Sequence, residues 1–178
     1  MIMQNPLLVI IDVQEKLFPV IHERNALEKQ LSILVQGFQL FEQPIVYTEQ
    51  TPDKLGPTIK PLSQFLLKHS CIEKTTFSCM DDDTFRLTLG EIDFDTLILA
   101  GIETHICIYQ TANDLVRNGY DVEVVADAVS SRYDINKNVG LERIRDVGAK
   151  LTTVELLLFY LQKQAVGSRF KKLIKLVK

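Results

Sequence analysis

The chain has no tryptophan, and its 178 residues include only 3 cysteines, 3 histidines, 6 prolines and 8 glycines. Each scarcity removes a class of protein. Cys71, Cys79 and Cys107 form an odd set without CxxC spacing, which excludes a disulfide framework and a zinc ribbon. His22, His69 and His105 are too scattered for a histidine-rich metal site, so no metal and no cofactor is expected. The low glycine and proline content excludes collagenous and low-complexity chains. No apolar run nears the roughly 20 residues needed to cross a bilayer. Met1-Ile2-Met3-Gln4-Asn5-Pro6 lacks the charged region of a signal peptide, so a cytoplasmic protein is expected. The GxSxG elbow, the GxGxxG fingerprint, the P-loop and HExxH are all missing, which removes the commonest routes to serine hydrolysis, dinucleotide binding, nucleotide hydrolysis and zinc proteolysis.

What remains is ordinary globular composition, 46% hydrophobic and 24% charged, in a length that suits one domain over 1–178 with a real core. The net charge of −3 is unevenly spread. Lys163, Arg169, Lys171, Lys172, Lys175 and Lys178 all follow the last acidic residue, Glu155, so the body is more acidic than the total suggests. An acidic body is a poor nucleic-acid surface. Within the basic tail, about 167–178, Phe170, Leu173, Ile174 and Val177 recur at helical spacing on one face. This predicts a terminal amphipathic helix that docks on its own domain or on a sister subunit, rather than on a membrane or RNA.

Short β-branched runs alternate with longer helix-period segments, the pattern of a parallel α/β sheet. Strands are expected at 7–11, 45–48, 70–73, 96–100, 122–126 and 150–153, and helices at about 24–42, 61–68, 81–89, 105–118, 136–147 and 155–164. The predicted fold is a single three-layer α/β domain, with a six-stranded, mostly parallel sheet covered by helices on both faces. The runs at 7–11 and 96–100 are apolar throughout, as central strands covered on both sides must be. Ligands of such sheets bind beyond the carboxyl ends of the strands, where the strand order reverses.

Those ends hold the candidate chemistry. Asp12 closes the first strand, and a carboxylate there is either a catalytic group at a crevice or a structural cap. Lys74 closes the third and, taken alone, reads as a solvated lysine. After the fourth strand, Gly101 marks a tight exit and Cys107 falls in the first turn of a helix, where unpaired N–H groups favour a thiolate. Position alone leaves open whether Cys107 is a nucleophile or an inert buried thiol. His105 lies two residues away, which on a helix points it elsewhere and makes it a poor base for that thiol. Cys71 and Cys79 read as structural.

Taken together, Asp12 with Gln14, Lys74-Thr75-Thr76-Phe77-Ser78, Gly101-Ile102-Glu103-Thr104-His105-Ile106-Cys107, Thr111-Ala112-Asn113-Asp114 and Val124-Val125-Ala126-Asp127-Ala128 resemble the isochorismatase-like cysteine hydrolases, the superfamily of nicotinamidase and N-carbamoylsarcosine amidase. The resemblance implies a catalytic triad of Asp12, Lys74 and Cys107. It also implies a cis peptide between Ile102 and Glu103, and an oxyanion hole from the backbone N–H groups of Glu103 and Cys107. It places Gln14, Phe18 and Thr104 at the substrate. Metal-binding nicotinamidases carry an Asp and several His after strand two, where this chain has Thr48-Glu49-Gln50-Thr51-Pro52. That loop, with Leu55-Gly56-Pro57-Thr58 and Asp127-Ala128-Val129-Ser130-Ser131-Arg132, resembles a metal-free subgroup. The implied protein is a homo-oligomeric cysteine hydrolase that cleaves a small amide or related C–N bond through a covalent thioester. Alternatives are a catalytically idle member that binds a ligand or partner, and a vinyl ether hydrolase of the isochorismate type, a branch that replaces the cysteine retained here as Cys107.

Overall fold

Two apolar runs set the centre of the molecule. In the computed structural model, which describes residues 3–178, β1 (Pro6–Ile11) and β4 (Thr96–Ile102) are buried along their whole length. They pair in parallel, Leu8 opposite Ile98 and Ile10 opposite Ala100. On one side β1 carries β2 (Ile45–Gln50) and then β3 (Ser70–Lys74); on the other, β4 carries β5 (Val122–Ser130) and then β6 (Lys150–Thr152). The order is β3-β2-β1-β4-β5-β6 and every pairing is parallel. The fold is therefore the expected six-stranded α/β sheet, with no antiparallel strand in it.

Alternation along the central strands sorts side chains into two cores, because successive residues of a strand face opposite sides. Leu8 and Ile10 pack with α1 (Arg24–Leu40), α3 (Lys60–Leu66), α7 (Val154–Gln162) and α8 (Gly167–Val177). Leu7, Val9 and Ile11 pack with α4 (Asp83–Glu91), α5 (Tyr109–Arg117) and α6 (Asp134–Asp146). A four-residue helix, α2 (Pro52–Leu55), sits in what reads from sequence as a loop. Thr153 caps α7 by accepting from the Leu156 N–H, as its residue type predicts.

Two departures from the sequence reading have physical causes. β5 runs to Ser130 rather than ending near Ala126. The β4–β5 register shifts between Leu99 and Gly101, which lets the strand continue past Asp127, whose carboxylate accepts the Val154 N–H instead of breaking the strand. The helix expected at 105 begins as a π-helical turn over Thr104–Ile108 before α5 starts at Tyr109. Gly101 fits only as glycine: its φ is +120°, and a Cβ there would lie 2.2 Å from the Ile11 carbonyl oxygen.

The basic tail forms α8 and docks on its own domain. Leu173 is fully buried, Phe170 meets Phe159 edge-on, and the Arg169 guanidinium lies over the Phe41 ring. The apolar face that needed covering is thus covered within the chain. Leu173→Ala is expected to cost about 2–5 kcal/mol, the usual loss for truncating a buried leucine. A denaturation midpoint unchanged from native would show that α8 contributes nothing to the core.

Candidate active site

The switch in strand order falls between β1 and β4, so the crevice beyond their carboxyl ends is flanked by Asp12 on one side and the Thr104–Ile108 turn on the other. Asp12 leaves β1 with φ +53°, a conformation uncommon outside glycine that Asp tolerates better than most residues. Two backbone bonds hold it there: its N–H donates to the Thr48 carbonyl at 3.2 Å, and its carbonyl accepts from the Gln14 N–H at 2.9 Å. The carboxylate is fully buried and gripped on both oxygens. Oδ1 accepts from the Thr48 hydroxyl at 2.7 Å, and Oδ2 accepts from Lys74 Nζ at 2.6 Å.

Lys74, which read as solvated when taken alone, is buried at the end of β3. Its ammonium also donates to the Thr76 carbonyl at 3.0 Å. A buried lysine normally loses basicity, and burial works against the charge here too. The Asp12 carboxylate, with Cys79 and Cys107 nearby, outweighs burial and holds Lys74 above its ordinary value.

Cys107 lies in the π-helical turn with 5% of its surface exposed. Burial, with the negative charge of Asp12, pushes its thiol well above the usual range, and Lys74 opposes this only in part. Burial and the Asp12 charge thus work against the thiolate that the helix start favours. Cys79 joins the same cluster, fully buried, with its N–H donating to the Thr111 hydroxyl at 3.0 Å. Burial pushes its thiol up to about 12, with Lys74 opposing. Cys71, by contrast, is exposed on the edge strand.

The Ile102–Glu103 peptide is cis. The Glu103 side chain is nearly buried, and its carboxylate accepts from the Arg132 backbone N–H at 3.0 Å and the Arg132 Nε at 3.2 Å. His105 Nδ1 bonds the Ser131 hydroxyl at 3.0 Å, which takes the ring away from thiol chemistry. Gly140 of α6 backs this turn so closely that a Cβ would meet His105 N at 3.0 Å.

The three residues expected at the substrate fare differently. The Gln14 amide is fully occupied: Nε2 donates to the Gln50 and Gly56 carbonyls, and Oε1 accepts the Gln50 N–H. It anchors the 50–58 strap, which corrects its assignment as a substrate ligand. Phe18 is packed into the core with residues of α1. Thr104 is fully buried and its hydroxyl has no hydrogen-bond partner. Thr48, Thr111 and Arg132 stand in the sequence only as members of the family strings, with no role assigned to them, since a threonine in a strand or helix and an arginine after a strand carry no local signal of what they bind.

The loop after β2 is committed internally. Glu49 Oε1 accepts from the Thr58 N–H at 2.6 Å and the Thr58 hydroxyl at 2.8 Å, and the Gln50 side chain donates to the Thr76 carbonyl. Among the described residues no group of three or more His, Cys, Asp or Glu side chains is placed to hold a metal ion.

A sequence model described as "Isochorismatase domain" matches residues 6–155. The chain belongs to the isochorismatase domain family. Within that family it is 38% identical over 173 residues to isochorismatase domain-containing protein 2 of Bos taurus, covering 97% of this chain and 82% of the relative. The structure of a protein named MAR1 ribonuclease from Caenorhabditis elegans superposes with a TM-score of 0.90 at 32% identity, over 98% of this chain and 90% of that one. The Escherichia coli YcaC gene product, described as an octameric hydrolase of unknown specificity, shares the isochorismatase-like fold. Its TM-score is 0.91 at 20% identity, over 97% of this chain and 87% of that one.

Proposed function

We propose that this chain is a cysteine-dependent hydrolase of a small amide or related C–N bond, acting through a covalent thioester. The observation that carries the reading is the burial of an ionised Asp12–Lys74 pair beside the thiol of Cys107, which opens the turn after the central strand. A buried ion pair is a weak device for stability, since desolvation offsets most of the Coulombic gain. Groups of perturbed basicity gathered at a strand switch point are instead the pattern of a catalytic site.

Because Cys107 rests as a thiol, Asp12 removes its proton as the sulfur attacks the substrate carbonyl. The Sγ–C bond forms and the carbonyl electrons move to oxygen, where the backbone N–H groups of Glu103 and Cys107 receive the developing charge. Collapse breaks the C–N bond, and the departing nitrogen takes the proton from Asp12. Water then adds to the thioester, giving a proton to Asp12. Cys107 leaves as the thiol on receiving that proton, and a carboxylic acid is released. Lys74 holds Asp12 in place and balances the negative charge throughout. The unpartnered Thr104 hydroxyl serves the substrate, while Gln14 and Phe18 shape the walls from behind.

No resident metal enters these steps, since Glu49 and Gln50 are spent on Thr58 and Thr76. Among the described residues, no helix is long and apolar enough to cross a membrane. A homo-oligomer is favoured by the exposed Leu156 and Tyr160 of α7 and Val166 just after it, and by the octameric assembly stated for YcaC.

A panel of small amides and ureas, assayed for ammonia release with and without EDTA, tests the reading. Release from at least one compound, unaffected by the chelator, is expected. Activity that falls in EDTA and returns with zinc would overturn the metal-free mechanism. Cleavage of RNA in place of every amide, in line with the name of the C. elegans neighbour, would overturn the substrate class.

A further inference from the structure

Thr48 belongs to the buried cluster, yet it is neither the nucleophile, the base nor the cation, and it bonds the Asp12 carboxylate directly. It lies on β2, the strand between the two that carry Asp12 and Lys74, and its register neighbours are Ile11 on β1 and Ile72 on β3. It is 1% exposed. Its hydroxyl has a single hydrogen to give, and that hydrogen goes to Asp12 Oδ1 at 2.7 Å. Its carbonyl accepts the Asp12 N–H at 3.2 Å, so one residue holds both the backbone and the side chain of Asp12.

From this geometry we infer that Thr48 is a positioning residue for the proposed reaction, fixing the rotation of the Asp12 carboxylate so that it meets the Cys107 thiol as a base. The inference rests on the Asp12–Cys107 reading above. A carboxylate held by one partner can swing about its last torsion, which is broad and roughly two-fold. With Lys74 on Oδ2 and Thr48 on Oδ1, that swing is closed at both ends. The ionisable groups around Asp12 are Lys74 from β3, Cys79 from the turn after β3, and Cys107 from the turn after β4. Thr48 approaches from β2 and carries no charge of its own. It can therefore tune the base without adding a competing titration.

Thr48→Val keeps the shape and removes the hydroxyl, and Thr48→Ser keeps the hydroxyl and removes the methyl. The measurement is the rate of Cys107 alkylation by iodoacetamide against pH, with peptide mapping to separate Cys107 from Cys71 and Cys79. Reaction through Asp12 needs its carboxylate turned toward the thiol, so the rate across the profile reports how Asp12 is presented to Cys107. In Thr48→Val that rate is expected to fall several-fold, the scale on which a misplaced reacting group acts. Thr48→Ser should return to the native profile. Thr48→Ala, which opens only a small space, gives the same comparison if the valine variant does not fold. A native-like profile in the variant lacking the hydroxyl overturns the role of Thr48 alone. An Asp12→Asn variant whose Cys107 alkylates like the native protein overturns the Asp12–Cys107 reading and this inference with it.

Discussion

Cys107→Ala is expected to reduce hydrolysis of any substrate found for the native protein by roughly 10⁴-fold or more, the scale on which removing a covalent nucleophile acts. The loss should fall on kcat, since the thiol forms its bond only after the substrate is seated. The fold should survive, because alanine fits where cysteine did and the turn is held by backbone contacts to Glu103. The Ile106 N–H donates to the Glu103 carbonyl at 3.0 Å, and the Ile108 N–H donates to the same oxygen at 3.3 Å. Ammonia release and a thermal melt on the same preparation separate the two effects. A variant that melts like the native protein and retains more than trace turnover would show that the nucleophile lies elsewhere. Cys79 is then the next thiol to test, since it is buried against the same ion pair.

Lys74→Met should be the other large perturbation, and it should act on chemistry and stability at once. Lys74 is the group that counters burial at Cys107, and it supplies the bond to Asp12 Oδ2 at 2.6 Å. Without it, the Cys107 thiolate loses its positive neighbour and the thiol binds its proton more tightly. The pH profile of Cys107 alkylation should therefore move upward. Breaking a buried pair also leaves an uncompensated charge, which costs about 3–5 kcal/mol. Denaturation shows whether the variant is folded, and the alkylation profile follows on folded protein. A profile that stays in place would mean that Lys74 holds the structure without tuning the thiol.

Most of the architecture was legible in the residues because periodicity is a local property. The all-apolar runs of β1 and β4 could be satisfied only at the centre of a covered sheet, and the helix-period segments between strands forced parallel crossovers. The boundary of β5 was not legible. Asp127 looks like a strand breaker until the Val154 N–H is there to bind it, and that contact joins residues 27 positions apart.

The chemistry divides in the same way. The sequence alone determined that Cys107 would open a helical turn after a central strand, because Gly101 and the change of periodicity stand beside it. It also marked Asp12 as an acid that had to face a crevice or find partners. The family resemblance named Lys74 among them, but the local pattern did not, and only the tertiary structure shows the contacts. Lys74 reaches Asp12 across 62 residues, and Thr48 across 36. Neither pairing leaves a trace in local pattern, because it depends on β3 and β2 lying in order beside β1. The surroundings of the Cys107 thiol were likewise visible only in the fold. Sequence supplied the helix start, which favours a thiolate; the packed site supplied desolvation and the Asp12 charge, which push the thiol upward. The same distinction separates Gln14 from its expected role, since its amide was visible in the sequence but the three groups that occupy it belong to a strap that closes only in the fold.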